Sequence, residues 1–240
     1  FRALASVLVA GGTNGVADIF VREAGATARV SVASDGLQAN DHSDFWSGVA
    51  VSAGCRLVAF GSRATNLAPG DTNGLQDVFV HDRELGTTTR VVNSANDGGA
   101  LRDAGSPSVS EDGLVLAFDT AVNPLLSGSR VYVYDGRVFT VRPLPAPGGA
   151  DARRPATSGD GGFVAFATYG RGSVPGLVYD DRLWLHDLGS GVTRELAVLG
   201  DSSDNFDLAG RPGISSNGRF VGFASSRPPL PADRHRAYEV

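Results

Sequence analysis

The chain contains no lysine and no methionine, and only five of its 26 acidic residues are glutamate (Glu23, Glu84, Glu111, Glu195, Glu239). These are good helix formers, so their scarcity excludes a helical bundle or a coiled coil. All 21 basic residues are therefore arginine, and the net charge of −5 argues against a nucleic-acid or anionic-membrane surface. A single cysteine, Cys55, excludes an internal disulfide framework and leaves the redox compartment open. No window approaches 18 uninterrupted apolar residues, which excludes a transmembrane helix. The 240 residues open without Met and without a signal-peptide pattern, so the expectation is a processed product or a fragment of something longer. What the chain has in quantity is Gly (32 residues) and Asp (21), the residues of turns.

Internal repetition decides the architecture. Three runs share one ungapped frame: Pro107-Ser-Val-Ser110-Glu-Asp-Gly-Leu-Val-Leu-Ala-Phe118, Pro155 through Ser158 to Phe166, and Pro212 through Ser215 to Phe223. A fourth copy runs from Val49 through Ser52 to Phe60, with Gly54-Cys55 in place of Asp-Gly or Asn-Gly, and Phe1 fits the final position. The phenylalanines recur at intervals of 59, 58, 48 and 57 residues.

Each unit reads as four short strands, a to d. Strand a is the Pro-x-x-Ser stretch, and a tight Asp-Gly or Asn-Gly turn leads into strand b, such as 56–60. A longer loop reaches strand c (77–80, 130–134, 183–185). A turn rich in Gly, Asp and Thr then leads to strand d (28–30, 89–91, 193–196). A lone four-stranded sheet cannot bury both faces, so the units must stack on like neighbours. The expected fold is all-β: a propeller of four-stranded antiparallel blades, about four to five blades' worth, as part of a larger ring. The whole of 1–240 is expected to be one repeat array, with units 1–46, 47–105, 106–153, 154–210 and 211–240, the first and last partial. A β-sandwich is the alternative, although its strands would not normally return in a fixed four-strand frame.

The pattern Pro-x-x-Ser-x-Asp-Gly-x-x-Val-Ala-Phe, Asn-Leu-x-Pro-Gly-Asp-Thr-Asn-Gly-x-x-Asp-Val-Phe-Val-x-Asp and Gly-Thr-Thr-x-Arg-Val resembles the WD-like repeat of TolB-type propellers. Residues 49–91 match it almost throughout, and the units around Phe118, Phe166 and Phe223 match mainly in strands a to c. The resemblance implies an exported bacterial protein, periplasmic or extracellular. It carries no activity, because propellers host many functions.

Antiparallel order puts the a–b and c–d turns on one rim and the b–c and d–a loops on the other. The first rim is stereotyped, while the second varies, and variable loops on a rigid scaffold are where binding concentrates. The d–a loops carry Asp41, His42, Asp44 and Trp46, then Arg102 and Asp103, then Arg153 and Arg154, then Asp204 and Arg211. One reading is a ring of Asp, Arg and aromatic groups contacting a peptide or glycan. The other is a solvated rim with Asp and Asn as turn formers.

In the b–c loop 71–77, Asp71, Asn73 and Asp77 resemble the first half of a calcium loop. The fifth position is not acidic and no bidentate Glu follows, so it is no EF-hand; the alternative is an Asn-Gly turn with Asp capping the strand. No other metal or cofactor is indicated. His81-Asp82 and His186-Asp187 look like catalytic pairs, but strand neighbours point to opposite faces. Asp82, Asp135 and Asp187 share one phase, so a turn-forming role is expected. No nucleophile elbow, His-Glu-x-x-His pair, phosphate loop or Cys-x-x-Cys occurs. The leading expectation is a non-catalytic binding propeller with a protein or other extracellular ligand as partner. The second is the substrate-filtering propeller of a secreted hydrolase of the prolyl-oligopeptidase kind. A lyase with a His-ligated metal has least support, with only four His in the chain.

Overall fold

The computed structural model describes residues 2–3, 9, 14–43, 48–91, 101–122, 129–169, 180–201 and 211–224. The chain divides into two compact units, Phe1–Ser108 and Val109–Val240. In the first, β1 (Arg2–Ala3), β2 (Asp18–Glu23) and β3 (Ala26–Arg29) form an antiparallel sheet in sequence order. Strands β4 (Val49–Val51), β5 (Leu57–Ser62), β6 (Asp77–Asp82) and β7 (Thr87–Arg90) form the next. A third sheet runs β8 (Leu101–Val109), β9 (Val115–Val122), β10 (Arg130–Asp135) and β11 (Thr140–Pro143). The second unit continues with β12 (Asp151–Thr157), β13 (Phe163–Tyr169), β14 (Asp180–Asp187) and β15 (Thr193–Asp201), then β16 (Gly213–Ile214) and β17 (Val221–Gly222). The four-stranded meander expected from the repeat is therefore present. Strands β8 and β12 start at Leu101 and Asp151, earlier than the Pro phase suggests.

The a–b hairpins are built alike. Ser110 Oγ donates to Asp112 Oδ1 (2.5 Å) and accepts from Val115 N (3.0 Å), while Asp112 Oδ1 also accepts from Leu114 N (3.0 Å). Ser158 with Asp160, and Ser215 with Asn217, repeat this arrangement. The fourth hairpin position is left-handed: Gly113, Gly161 and Gly218 have φ of 75°, 70° and 68°, and Cys55 fills the same slot at 58°. Gly161 is needed twice over, because a Cβ there would come within 2.9 Å of Val115 on the neighbouring sheet. That explains the Asp-Gly signal.

The recurring Phe lies on the second strand of each complete sheet and faces an aromatic on the third. Phe60 stacks on Phe79 (6.1 Å between ring centres), Phe118 on Tyr132 (5.7 Å), and Phe166 pairs in register with Trp184. Phe20, Phe60, Phe79, Phe118 and Phe166 are fully buried, and Phe223 is partly buried. Each buried ring contributes roughly 1.5–3 kcal/mol of transfer free energy. Sheets pack face to face through these residues. In the first unit Ile19, Val21 and Val30 meet Val58, Phe60 and Phe79; in the second Val115, Ala117, Val131 and Val133 meet Ala152, Val164 and Phe166.

Candidate binding rim

The turn rim uses its polar groups internally. Asp82, Asp135 and Asp187 each end a third strand and accept backbone N–H groups two or three residues on, from Glu84 and Leu85, from Arg137, and from Gly189 and Ser190. The Ser190 hydroxyl first, and then these backbone bonds, hold Asp187 below the usual carboxylate range, and Asp82 is lowered chiefly by its contact with Arg56. The adjacent histidines are structural too. His81 Nδ1 lies 2.9 Å from Thr88 Oγ1, and His186 Nδ1 lies 2.8 Å from Thr193 Oγ1. Because the Thr88 hydroxyl donates to the Val32 carbonyl, His81 must present a protonated Nδ1 to it. Burial pulls both imidazoles below their ordinary value, so they are held neutral. The Thr partner, seven residues downstream across a hairpin, is the signal that the His-Asp dipeptides concealed.

On the opposite rim the end of a d–a loop, or the start of the first strand that follows it, latches onto the residue preceding a third strand. Ser43 N donates to Ala17 O (2.8 Å), Ala104 N to Gln76 O (2.6 Å) and Ala152 N to Ser129 O (2.8 Å). Side chains complete the latch: Ala17 N donates to His42 Nδ1 (3.0 Å), and Gln76 N to Asp103 Oδ1 (2.8 Å). Asp41 accepts from His42 N (2.6 Å), and Asp103 also pairs with Arg63 (3.0 Å). His42 and Asp103, read from sequence as rim residues, are thus placed on the rim with acceptors committed to its framework. Asp44, Trp46 and Asp204 lie outside the described residues, and Arg102 is on β8.

The remaining arginines gather in the second unit. Arg153 Nε donates to Ser129 Oγ (2.8 Å), with its Nη2 3.7 Å from Asp151. The β12–β13 register shifts between Arg153 and Ala156, and within that bulge Arg154 has φ of +57° and donates its N–H to Asp119 Oδ2 (2.9 Å). Arg211 is solvent-exposed just before β16. Partial desolvation lowers its guanidinium, the carboxylate of Asp119 opposes that, and the charge of Arg154 adds to it. Ser129, which accepts from Arg153, is also a wall of a cleft of about 420 Å³ lined with Arg130, Pro143, Leu144, Pro145 and Ala146. No periodicity announced this cleft. It arises where the d–a loop folds back through the Pro147–Gly149 turn.

Asp71, Asn73 and Asp77 do converge, but a cation is already among them. Arg90 Nη1 lies 2.9 Å from Asp71 and 3.2 Å from Asp77, while Asn73 Nδ2 donates to Asp77 (3.0 Å) and Asn73 Oδ1 accepts from Leu75 N (2.8 Å). Asn73 therefore turns its amide donor, not its oxygen, toward the carboxylate. The donor set fits a guanidinium, not calcium with its shell of six to eight oxygens. The first sheet repeats the arrangement, with Arg29 Nε 3.2 Å from Asp18 and Asn14 Nδ2 donating to Asp18 (3.0 Å). Burial, then the neighbouring Asp71, pushes the Asp77 carboxyl up to about 6 against the bonds from Asn73 and Arg90. Among the described residues no group of three or more His, Cys, Asp or Glu is placed to hold a metal ion.

No protein-family model and no curated protein matches the chain. Solved structures do. TolB from Acinetobacter baumannii is 16% identical with a TM-score of 0.54, the match covering 90% of this chain and 44% of that one. The β-propeller domain of the Trilobed protease from Pyrococcus furiosus is 14% identical with a TM-score of 0.51, covering 80% and 52%. The tricorn protease is 13% identical with a TM-score of 0.54, covering 92% and 18%. These likenesses show the fold, a β-propeller of the TolB kind. The chain spans little more than half the length of these proteins at most.

Proposed function

We propose that this chain is a non-catalytic binding propeller that presents its b–c and d–a rim to a protein or other extracellular ligand. One observation carries the reading: the cleft of about 420 Å³ opens on that rim, beside Arg130 and the Arg153–Arg154 bulge. The opposite rim is fixed by hairpin hydrogen bonds that leave its turns little freedom to vary. The resemblance to TolB-type propellers supports an exported location, periplasmic or extracellular. Among the described residues no helix is long and apolar enough to cross a membrane.

A second reading, the propeller portion of a secreted hydrolase, is favoured by the fold likeness to the Trilobed and tricorn protease propellers. An α/β segment with a Ser nucleophile elbow in the same gene would decide for it. The binding reading is tested by immobilising the chain and capturing ligand from periplasmic extract, with bound species identified by mass spectrometry. Trp46→Ala and Arg154→Ala should lose the captured species while Val192→Ala, on the turn rim, retains it. Equal capture by all three would overturn the rim assignment.

A further inference from the structure

In three of the sheets one diagonal between the third and fourth strands carries opposite charges. Asp18 meets Arg29 (3.2 Å) between β2 and β3, Asp77 meets Arg90 (3.2 Å) between β6 and β7, and Arg182 meets Glu195 (2.5 Å) between β14 and β15. The register is the same each time, with Phe20 opposite Arg29, Phe79 opposite Arg90 and Trp184 opposite Glu195. Between β10 and β11 the same positions hold Arg130 and Pro143, since Tyr132 lies opposite Pro143. Proline brings no charge, so this sheet has a cation without its counter-ion. Arg130 is exposed, and among the described residues no carboxylate pairs with it. Thr120, opposite Arg130 on β9, is 1% exposed and its hydroxyl has no hydrogen-bond partner. Its counterpart Thr168, opposite Arg182, accepts from Trp184 Nε1 (2.8 Å). The unpaired diagonal opens on the cleft of about 420 Å³, because Arg130 and Pro143 both line it.

We propose that Arg130 and this cleft form a carboxylate-binding site, in which a peptide ligand supplies the counter-ion that Pro143 cannot and lays an adjoining apolar side chain against Pro143, Leu144 and Ala146. A guanidinium engages a carboxylate through paired, charge-assisted hydrogen bonds, and Arg182 with Glu195 shows that this diagonal accommodates such a contact. The wall of Pro143, Leu144, Pro145 and Ala146 suits an aliphatic side chain and would leave a sugar's hydroxyls without partners, which favours a peptide over an acidic glycan. The inference rests on the binding reading above and names the chemistry of that site.

The test uses fluorescence anisotropy on the full chain with three peptides labelled at the N-terminus: Leu-Asp-Leu amide, with an acidic side chain only; Leu-Asn-Leu acid, with a free C-terminus only; and Leu-Asn-Leu amide, with neither. At least one of the first two should bind about fivefold more tightly than the third, the scale of one exposed ion pair, and should lose that margin as salt is raised. Which of them does so tells a side-chain carboxylate from a terminal one. Arg130→Gln should remove the margin, while Arg194→Gln, an equal charge loss on the exposed part of β15, should leave it. Pro143→Glu installs the acid that Glu195 provides in the sister sheet; it keeps Arg130 yet should abolish the margin, with a melting temperature at or above that of the parent. Equal binding of the three peptides, a margin that survives Arg130→Gln or Pro143→Glu, or tighter binding of trigalacturonate than of either acidic peptide would overturn the proposal. If the three peptides bind equally while the immobilised chain still captures ligand from extract, the rim reading stands and this inference falls.

Discussion

Phe139 is the most exposed large apolar residue described, at 81%, and it stands at φ of +53°. It lies four residues beyond Asp135, where the sibling turns place Gly86 and Gly191 after Asp82 and Asp187. A left-handed L-residue costs roughly 1–2 kcal/mol, partly offset by the extra unfolded-state freedom of glycine. Phe139→Gly should therefore stabilise the chain by up to about 1 kcal/mol, read as a higher urea midpoint with unchanged slope. Asp77 makes a second prediction. Its carboxyl is raised to about 6 in the fold, so its contribution to stability is fully present below the ordinary carboxylate range and is lost as pH rises through about 6. Asp77→Asn, always neutral, should show a smaller fall in melting temperature from pH 5 to pH 7 than the parent chain. An identical pH dependence would mean that the carboxyl titrates normally.

Among elements, the b–c loop 71–77 and strand β7 form one buried charged unit through Arg90. Because that guanidinium takes the cation's place, neither calcium nor a chelator should move the melting temperature, and Arg90→Ala should lower it. A calcium-dependent rise abolished by Asp71→Ala would restore the metal reading. Truncation of a recurring Phe is the strongest element-level perturbation: Phe118→Ala removes the ring stacked on Tyr132 and should cost about 3–5 kcal/mol, measured by denaturant unfolding. How much of this was legible followed sequence distance. The hairpins showed plainly because Ser110, Asp112 and Gly113 bond within a few residues. The role of His42 did not, since its partner Ala17 N lies 25 residues away across the sheet stack. Arg154 and Asp119, 35 residues apart, were equally hidden. Arg90 was visible only as a strand residue, with nothing local to say that it would neutralise a candidate calcium loop.

For the whole molecule, the repeat frame was enough to foresee stacked four-stranded sheets, because any sheet of that size must bury both faces against its neighbours. It could also separate a turn rim from a loop rim. It could not say which loop residues would be spent on latching sheets together and which would stay available, since that depends on contacts between sheets. The central claim is that ligand meets the loop rim. A photocrosslinking amino acid placed at Ala146, in the cleft, and in a second chain at Val192, on a c–d turn, tests it directly in periplasmic extract. The account predicts a discrete crosslinked product from the Ala146 position and none from Val192. Crosslinking at Val192 with none at Ala146 would contradict it.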